Sequence, residues 1–307
     1  MHDDEIALSP ETAERLVHDL SPAYAGLSVV ALSTSATTSR VFRVGDRLAA
    51  RFPMQGSDPE AVRTALERER GAMTEFAAHS PIPSPEAVAI GAPGHGFPLP
   101  WTLQTWVRGD TATPTSAAHS LRFADDLAAL IARLRDAPTR GRAFSGGGRG
   151  GDLRAHDEWV ALCLDRSRGL LPVREAEGLW RALHDVPTEG PDRMAHGDLT
   201  PANLLVEDGC LVGVVDTGGF GPADPSLDLV VAWHALDDGP RSRLRELLRS
   251  DDREWRRGAA WALQQALGLV WYYASSNPEM SDLGRRTIAR LLADPALGRR
   301  RSEVTGG

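Results

Sequence analysis

Apolar and polar positions follow two different rhythms along the chain. Over SPETAERLVHDL, Leu16, Val17 and Leu20 fall on one helical face, behind Ser9 as a cap, Pro10 at the first helical position and Glu11 in the first turn. LSVVALST and RVFRVGDRLAARF then change to strand-like runs with a Gly-Asp turn, which predicts two or three short strands with a hairpin. DPEAVRTALERERGAMTEFAAHS returns to helical spacing through Val62, Leu66, Met73 and Phe76, capped by Asp58 and Pro59 and ended by PIPSP. EAVAIG and LPWTLQTWVRG supply two further strands. After VRGDTATPTS the character changes. AAHSLRFADDLAALIARLRDA is a strongly amphipathic helix, and most of the remaining chain is helical. SGGGRGGD (145–152) reads as a flexible loop or linker and not as a phosphate loop, because no strand leads into it and no helical pattern starts at its end. The pattern predicts an α+β chain with a small strand-rich domain over residues 1–105 and a larger helical one over 106–307.

Composition narrows the class. The chain has 307 residues, 42% of them hydrophobic and 25% charged, enough for two compact units. A net charge of −8 argues against nucleic acid as a partner and favours a cationic small molecule. No apolar run is long enough for a membrane helix, and the acidic start MHDDEIALSP lacks the charge of a signal peptide, so the expected location is the cytoplasm. Cys163 and Cys210 have no metal-type spacing and read as buried small hydrophobes. All 34 basic residues are arginine, so no mechanism here can use a lysine.

The chemistry concentrates in residues 194–228. His196, Asp198 and Asn203 have the spacing H-x-D-x-x-x-x-N, and Asp216-Thr-Gly lies thirteen residues beyond the asparagine. Phosphoryl transfer needs this set: a carboxylate at the acceptor hydroxyl, and an amide oxygen and a second carboxylate for a hard divalent cation. The Asp208-Gly209 turn in NLLVEDGCLVGVVD folds the segment between Asn203 and Asp216 into a hairpin. A neutral amide ligand also avoids a further negative charge beside phosphates. Asn203 is one of only two asparagines in the chain.

HGDLTPANLLVEDGCLVGVVDTGGFGPADPSLDLVVAW resembles the signature of the aminoglycoside phosphotransferase family, small-molecule kinases of protein-kinase-like fold. RVGDRLAARFP is similar to that family's third strand, WTLQTWVRGDTA to its hinge and WALQQALGLVWYYASSNPEM to its last helices. The resemblance implies a bilobal fold with a small antiparallel-sheet N-lobe, a mainly helical C-lobe and a hinge near residues 104–108. It implies ATP or GTP as donor, Mg²⁺ as metal and a small-molecule hydroxyl as acceptor, an aminoglycoside or other antibiotic. It gives Asp198 the role of catalytic base, Asn203 and Asp216 the metal, and His196 the shaping of the loop. Asp228 is expected to orient that loop and Asp224 to cap the helix from Pro225, while Trp233 reads as core.

The pattern departs from the family in places. Arg51 and Glu69 stand where a strand lysine and a helix glutamate set the nucleotide; an arginine fork can bind phosphate. The phosphate-covering loop, STSATTSR, has no glycine, and Ser35 and Thr38 are its candidate contacts. Thr217 replaces the aromatic residue between Asp216 and Gly218. Gln104 and Trp106 are hinge candidates for the base, and Asp237, Asp238 and Glu279 are acidic candidates for a cationic acceptor. Two alternatives stay open: a catalytically silent nucleotide-binding protein of this fold, and a kinase of a small metabolite. A protein kinase fits less well, because no A-P-E motif follows DTGG. Oligomeric state is open between monomer and homodimer.

Overall fold

The computed structural model describes residues 6–32, 39–188 and 190–298. The chain divides into two compact units, one running to Asp110 and including Val212–Phe220, the other formed by Thr111–Leu211 and the chain from Gly221.

In the first unit, α1 (Pro10–Leu20) and α2 (Pro59–His79) accompany five strands: β1 (Val29–Ala31), β2 (Ser39–Val44), β3 (Leu48–Pro53), β4 (Ala87–Gly91) and β5 (Trp101–Thr105). The sheet order is β1-β2-β3-β5-β4, and every neighbouring pair is antiparallel. The helices start where their caps put them: Ser9 accepts from Thr12 N–H and Asp58 from Glu60 N–H. Under the sheet, Phe52 stacks on Trp101 at 4.8 Å and meets Phe42 and Phe97 edge-on at 5.6 and 5.5 Å. Gly91 is required there, since a Cβ at that position would lie 2.1 Å from the Trp101 ring.

The expected boundary at residue 105 misses Val212–Phe220. Packing explains its place. Val214 N–H donates to Pro83 C=O at 3.0 Å, and Phe220 meets Phe76 of α2 edge-on at 5.3 Å.

The second unit holds β6 (Asp110–Thr111), which starts at its edge, then α3 (Leu121–Arg135), α4 (Asp157–Arg166), α5 (Val173–Leu183) and β7 (Arg193–Ala195). β8 (Leu204–Glu207) and β9 (Cys210–Val214) form the expected hairpin, and Asp208 and Gly209 at its turn both have positive φ, 49° and 74°. β10 (Gly221–Ala223) pairs antiparallel with β7. The chain finishes with α6 (Val231–Ala235), α7 (Asp238–Leu248), α8 (Asp252–Tyr272), α9 (Pro278–Ala293) and α10 (Pro295–Gly298). α3 begins later than its apolar pattern suggested, because Ser120 caps it by accepting from Phe123 N–H. α8 is buried around much of its circumference, through Trp255, Trp261, Leu263 and Leu267, and α4, α5, α6 and α9 pack against it. Trp233 is core as read, its ring 4.6 Å from Trp255 and its N–H donating to Asp294.

Asp224 does more than cap a turn. It accepts from Ser226 N–H and Oγ–H, and on its other oxygen from Trp261 Nε1 and Arg257 Nε at 2.9 and 2.8 Å, with both partners of this ion pair buried. Breaking a buried pair of this kind costs about 3–5 kcal/mol. Cys163 is buried as expected; Cys210 is only half-buried, because it sits beside the exposed hairpin turn.

Candidate active site

In the second unit the site grows from the end of β7. Its pairing with β10 sets Gly221 opposite Ala195, and the chain leaves the strand at His196. Gly197 has φ +86°, a left-handed conformation open to glycine at no steric cost. Asp228, almost fully buried, holds this bend by accepting from His196 N–H at 2.8 Å and Gly197 N–H at 2.9 Å. Burial is the largest influence on the Asp228 carboxyl and pushes its pKa up, against His196, the two backbone donors and Arg135. Asp198 N–H donates to His196 Nδ1, so the buried imidazole closes the turn from inside.

The two oxygens of Asp198 are held differently. Oδ1 accepts from Arg149 Nη2 at 2.7 Å and from Gln265 Nε2 at 2.6 Å. Oδ2 accepts from Asn203 Nδ2 at 3.0 Å, and the same amide nitrogen donates to the Asp198 backbone C=O at 2.9 Å. Burial raises the Asp198 pKa, but the Arg149 charge, the nearby His196 ring and the hydrogen bonds from Gln265 and Arg149 outweigh it, leaving it below the ordinary carboxylate value. The carboxylate is thus ionised at neutral pH, and its side chain stays 40% exposed.

The glycine-rich segment 145–152 is no mere linker. Asp224 N–H donates to Gly150 C=O, Arg257 Nη2 to Gly151 C=O, and Phe144 N–H to Asp192. Gly150 has φ +119°, and a Cβ there would lie 2.8 Å from Ala223 Cβ. So tied, the loop delivers its single long side chain, Arg149, to Asp198. Arg149, Gln265 and His234 are the neighbours that motif reading missed. Each left a signal: one arginine amid five glycines, a polar Gln-Gln step in the apolar WALQQAL, and a histidine inside VVAWHAL.

In the first unit, Asp216 follows β9 with φ 59° and ψ 44°, a left-handed backbone that is uncommon for a side-chain-bearing residue and concentrates at functional sites. Arg51 Nη2 on β3 donates to Asp216 Oδ1 at 3.0 Å. Among the described ion pairs Arg51 joins Asp216 and not Glu69. Glu69 instead lies over Gly218, where an added Cβ would come 3.0 Å from Glu69 Cγ. Burial raises the Glu69 pKa, with Asp216 adding to the rise and Arg51 and Arg68 opposing it.

The remaining candidates separate. Ser35 and Thr38 lie outside the described residues. Gln104 sits in the middle of the sheet, opposite Ala49 on β3 and Ala87 on β4, and is buried. Trp106 N–H donates to Arg47 C=O, and its ring carries the Arg43 guanidinium at 4.1 Å, so it is neither free nor simple core. The acidic candidates already hold arginines: Asp237 pairs with Arg290 at 2.8 Å and with His119, and Asp238 with Arg241. Glu279 is exposed in the first turn of α9. None of the three is joined to Asp198 by a hydrogen bond or ion pair among the described contacts.

The donor set suits a hard cation. Both Asn203 amide hydrogens are taken up by Asp198 acceptors, which leaves Oδ1, a hard oxygen, as the acceptor atom of its side chain. Among the described residues no three His, Cys, Asp or Glu side chains converge into a closed cage.

The His196–Asp198–Asn203 spacing followed by Asp216-Thr-Gly keeps the order of the catalytic loop of the kinase-like fold. The chain belongs to the Phosphotransferase enzyme family, whose sequence model matches residues 29–261. An aminoglycoside 3'-phosphotransferase of Escherichia coli is 41% identical over 156 residues, covering 45% of this chain and 53% of the relative. One of Salmonella typhimurium is 27% identical over 158 residues, covering 48% and 57%. The chain thus spans about half the length of the curated relatives it matches. Among solved structures, the GDP complex of aminoglycoside 2'-phosphotransferase-IIIa superimposes with a TM-score of 0.69 at 19% identity, over 92% of this chain and 99% of that one. The macrolide 2'-phosphotransferase MphH of Brachybacterium faecium gives 0.60 at 17%, over 91% and 98%. At these identities the likeness establishes the α+β kinase-like fold.

Proposed function

We propose that this protein transfers the γ-phosphoryl of ATP or GTP to a hydroxyl of a small-molecule antibiotic, with aminoglycosides the first class to test. The observation that carries this reading is the Asp198 loop: an ionised, part-exposed carboxylate fixed by Asp228, Asn203, Gln265 and Arg149. The E. coli relatives are aminoglycoside 3'-phosphotransferases, and a fold neighbour was solved with GDP and kanamycin. The net charge of −8 favours a cationic acceptor. Among the described residues no helix is long and apolar enough to cross a membrane.

In this mechanism Asp198 Oδ2 accepts a hydrogen bond from the acceptor hydroxyl and orients it for in-line attack. Oδ1 already carries two donors and stays out of the reaction. The hydroxyl proton passes to Asp198 late, as the new O–P bond forms and the nucleoside diphosphate leaves. Asn203 through Oδ1 and Asp216 through its carboxylate are the groups that would hold Mg²⁺, which when bound offsets charge on the phosphates. Arg51 offers the phosphates a guanidinium where the family has lysine, and its contact with Asp216 keeps it at the metal-side carboxylate. Replacing Asp198 by alanine should lower turnover at least about 10²-fold while nucleotide affinity stays within twofold. Near-normal turnover in that variant would remove Asp198 from the mechanism.

A further inference from the structure

Behind the catalytic loop the second unit contains a buried polar chain of which the phosphotransferase mechanism uses only the first member, Gln265. Gln265 on α8 donates from Nε2 to Asp198 Oδ1 at 2.6 Å. Its other end, Oε1, lies 3.2 Å from His234 Nε2 on α6. The second nitrogen of that ring, Nδ1, lies 2.8 Å from Thr287 Oγ1 on α9. His234 and Thr287 are fully buried.

The chemistry of these atoms leaves each member one orientation. An amide oxygen turned toward Asp198 would face a carboxylate, so Gln265 must present its N–H₂ there and its oxygen to His234. That oxygen only accepts, so His234 Nε2 must carry the hydrogen. With a neutral ring, Nδ1 is then an acceptor, and the Thr287 hydroxyl donates to it. Burial keeps the ring neutral, lowering the His234 pKa to about 4. A leucine or phenylalanine would fill an apolar core site with no polar atoms to satisfy, whereas an imidazole there needs both partners.

We propose that Gln265 and His234, locked by Thr287, are positioning residues that fix which oxygen of Asp198 meets the acceptor hydroxyl. The inference rests on the phosphotransferase reading for its consequence, but not for its geometry. No proton moves along the chain. Its work is to keep Gln265 aimed at Oδ1, so that Oδ2 is the oxygen left facing the acceptor.

Two measurements test it. In ¹⁵N-histidine-labelled protein, with the His234 signals assigned from a His234→Phe variant, the ring should be the neutral Nε2–H tautomer near pH 7; the Nδ1–H tautomer would overturn the proposal. If His234→Phe does not fold, Thr287→Val, which moves only the signals of the ring it touches, makes the same assignment. The second measurement is steady-state transfer with Mg²⁺ and ATP, using kanamycin as probe and otherwise the panel acceptor that wild type modifies. Gln265→Met should lower kcat about tenfold with KM for ATP within twofold. Thr287→Val should cost about threefold alone and nothing further on top of Gln265→Met, because the chain acts only through Gln265. Losses that multiply in the double variant, or an unchanged kcat in Gln265→Met while Asp198→Asn is inactive, would refute the positioning role and leave the kinase reading intact. If wild type modifies no acceptor at all, the functional reading fails and the tautomer alone decides the geometry.

Discussion

Asp228 offers the most direct test of how the catalytic loop is held. Its two oxygens accept the backbone N–H groups of His196 and Gly197, and it is 2% exposed. Asp228→Ala leaves both donors buried without a partner, at about 1–3 kcal/mol each, or about 2–6 kcal/mol together. For a chain of this size each kcal/mol lowers Tm by about 2 °C or somewhat more, so a fall of about 5–15 °C is expected. Asp228→Asn keeps one acceptor and should lose about half as much. The effect on activity should exceed the effect on folding. Gly197 would relax from φ +86° and carry Asp198 with it, and a displacement of about 1 Å at a reacting group costs about 10²-fold in kcat. The control is Asp282→Ala, which removes an exposed pair with Arg286 and should cost under about 0.5 kcal/mol. Thermal melts, nucleotide titration and phosphoryl-transfer kinetics on the same samples decide the matter. A folded Asp228→Ala protein with wild-type kcat would refute the claim that these two hydrogen bonds position the base.

Three further outcomes follow from the same structure. Arg149→Met removes the largest influence that lowers the Asp198 pKa, so the acid limb of the kcat–pH profile should move to higher pH than in wild type; an unmoved limb would mean Arg149 does not act on Asp198. His234 has a folded pKa of about 4 against about 6.5 unfolded, so its contribution is present above pH 6.5 and is lost as pH falls toward 4. That amounts to roughly 3 kcal/mol, and Tm measured from pH 7 to pH 4.5 should fall less in His234→Phe than in wild type. Gly91→Ala drives a methyl group into the Trp101 ring and should destabilise by about 3 kcal/mol or fail to fold; a Tm within 2 °C of wild type would contradict the packing.

Much of this could be read from the sequence because the signals were local. Helix caps at Ser9 and Asp58, the Asp208-Gly209 turn and the His196–Asp198–Asn203 spacing each depend on residues a few positions apart. What escaped depends on contacts across long stretches of chain. Arg149 reaches Asp198 49 positions away, and Gln265 reaches it across 67. Asp224 looked like a local cap, but its stronger partners, Arg257 and Trp261, lie on α8. Asp237 and Asp238 looked like free acids because nothing nearby in sequence announces Arg290 or the orientation of Arg241. The segment 145–152 misled most. Its glycines suggest freedom, yet Gly150 and Gly151 let the backbone pass close to Ala223 and Phe144.

The central claim, that Asp198 directs phosphoryl transfer to a small-molecule hydroxyl, is tested by incubating the purified protein with Mg²⁺ and ATP or GTP. The panel of acceptors would be aminoglycosides, macrolides and amino alcohols, with products read by mass spectrometry and Asp198→Asn run in parallel. The account predicts a product heavier by one phosphoryl group with wild type and none with the variant. A product made equally by both proteins, or no product from wild type despite Mg²⁺-dependent nucleotide binding across the whole panel, would contradict it.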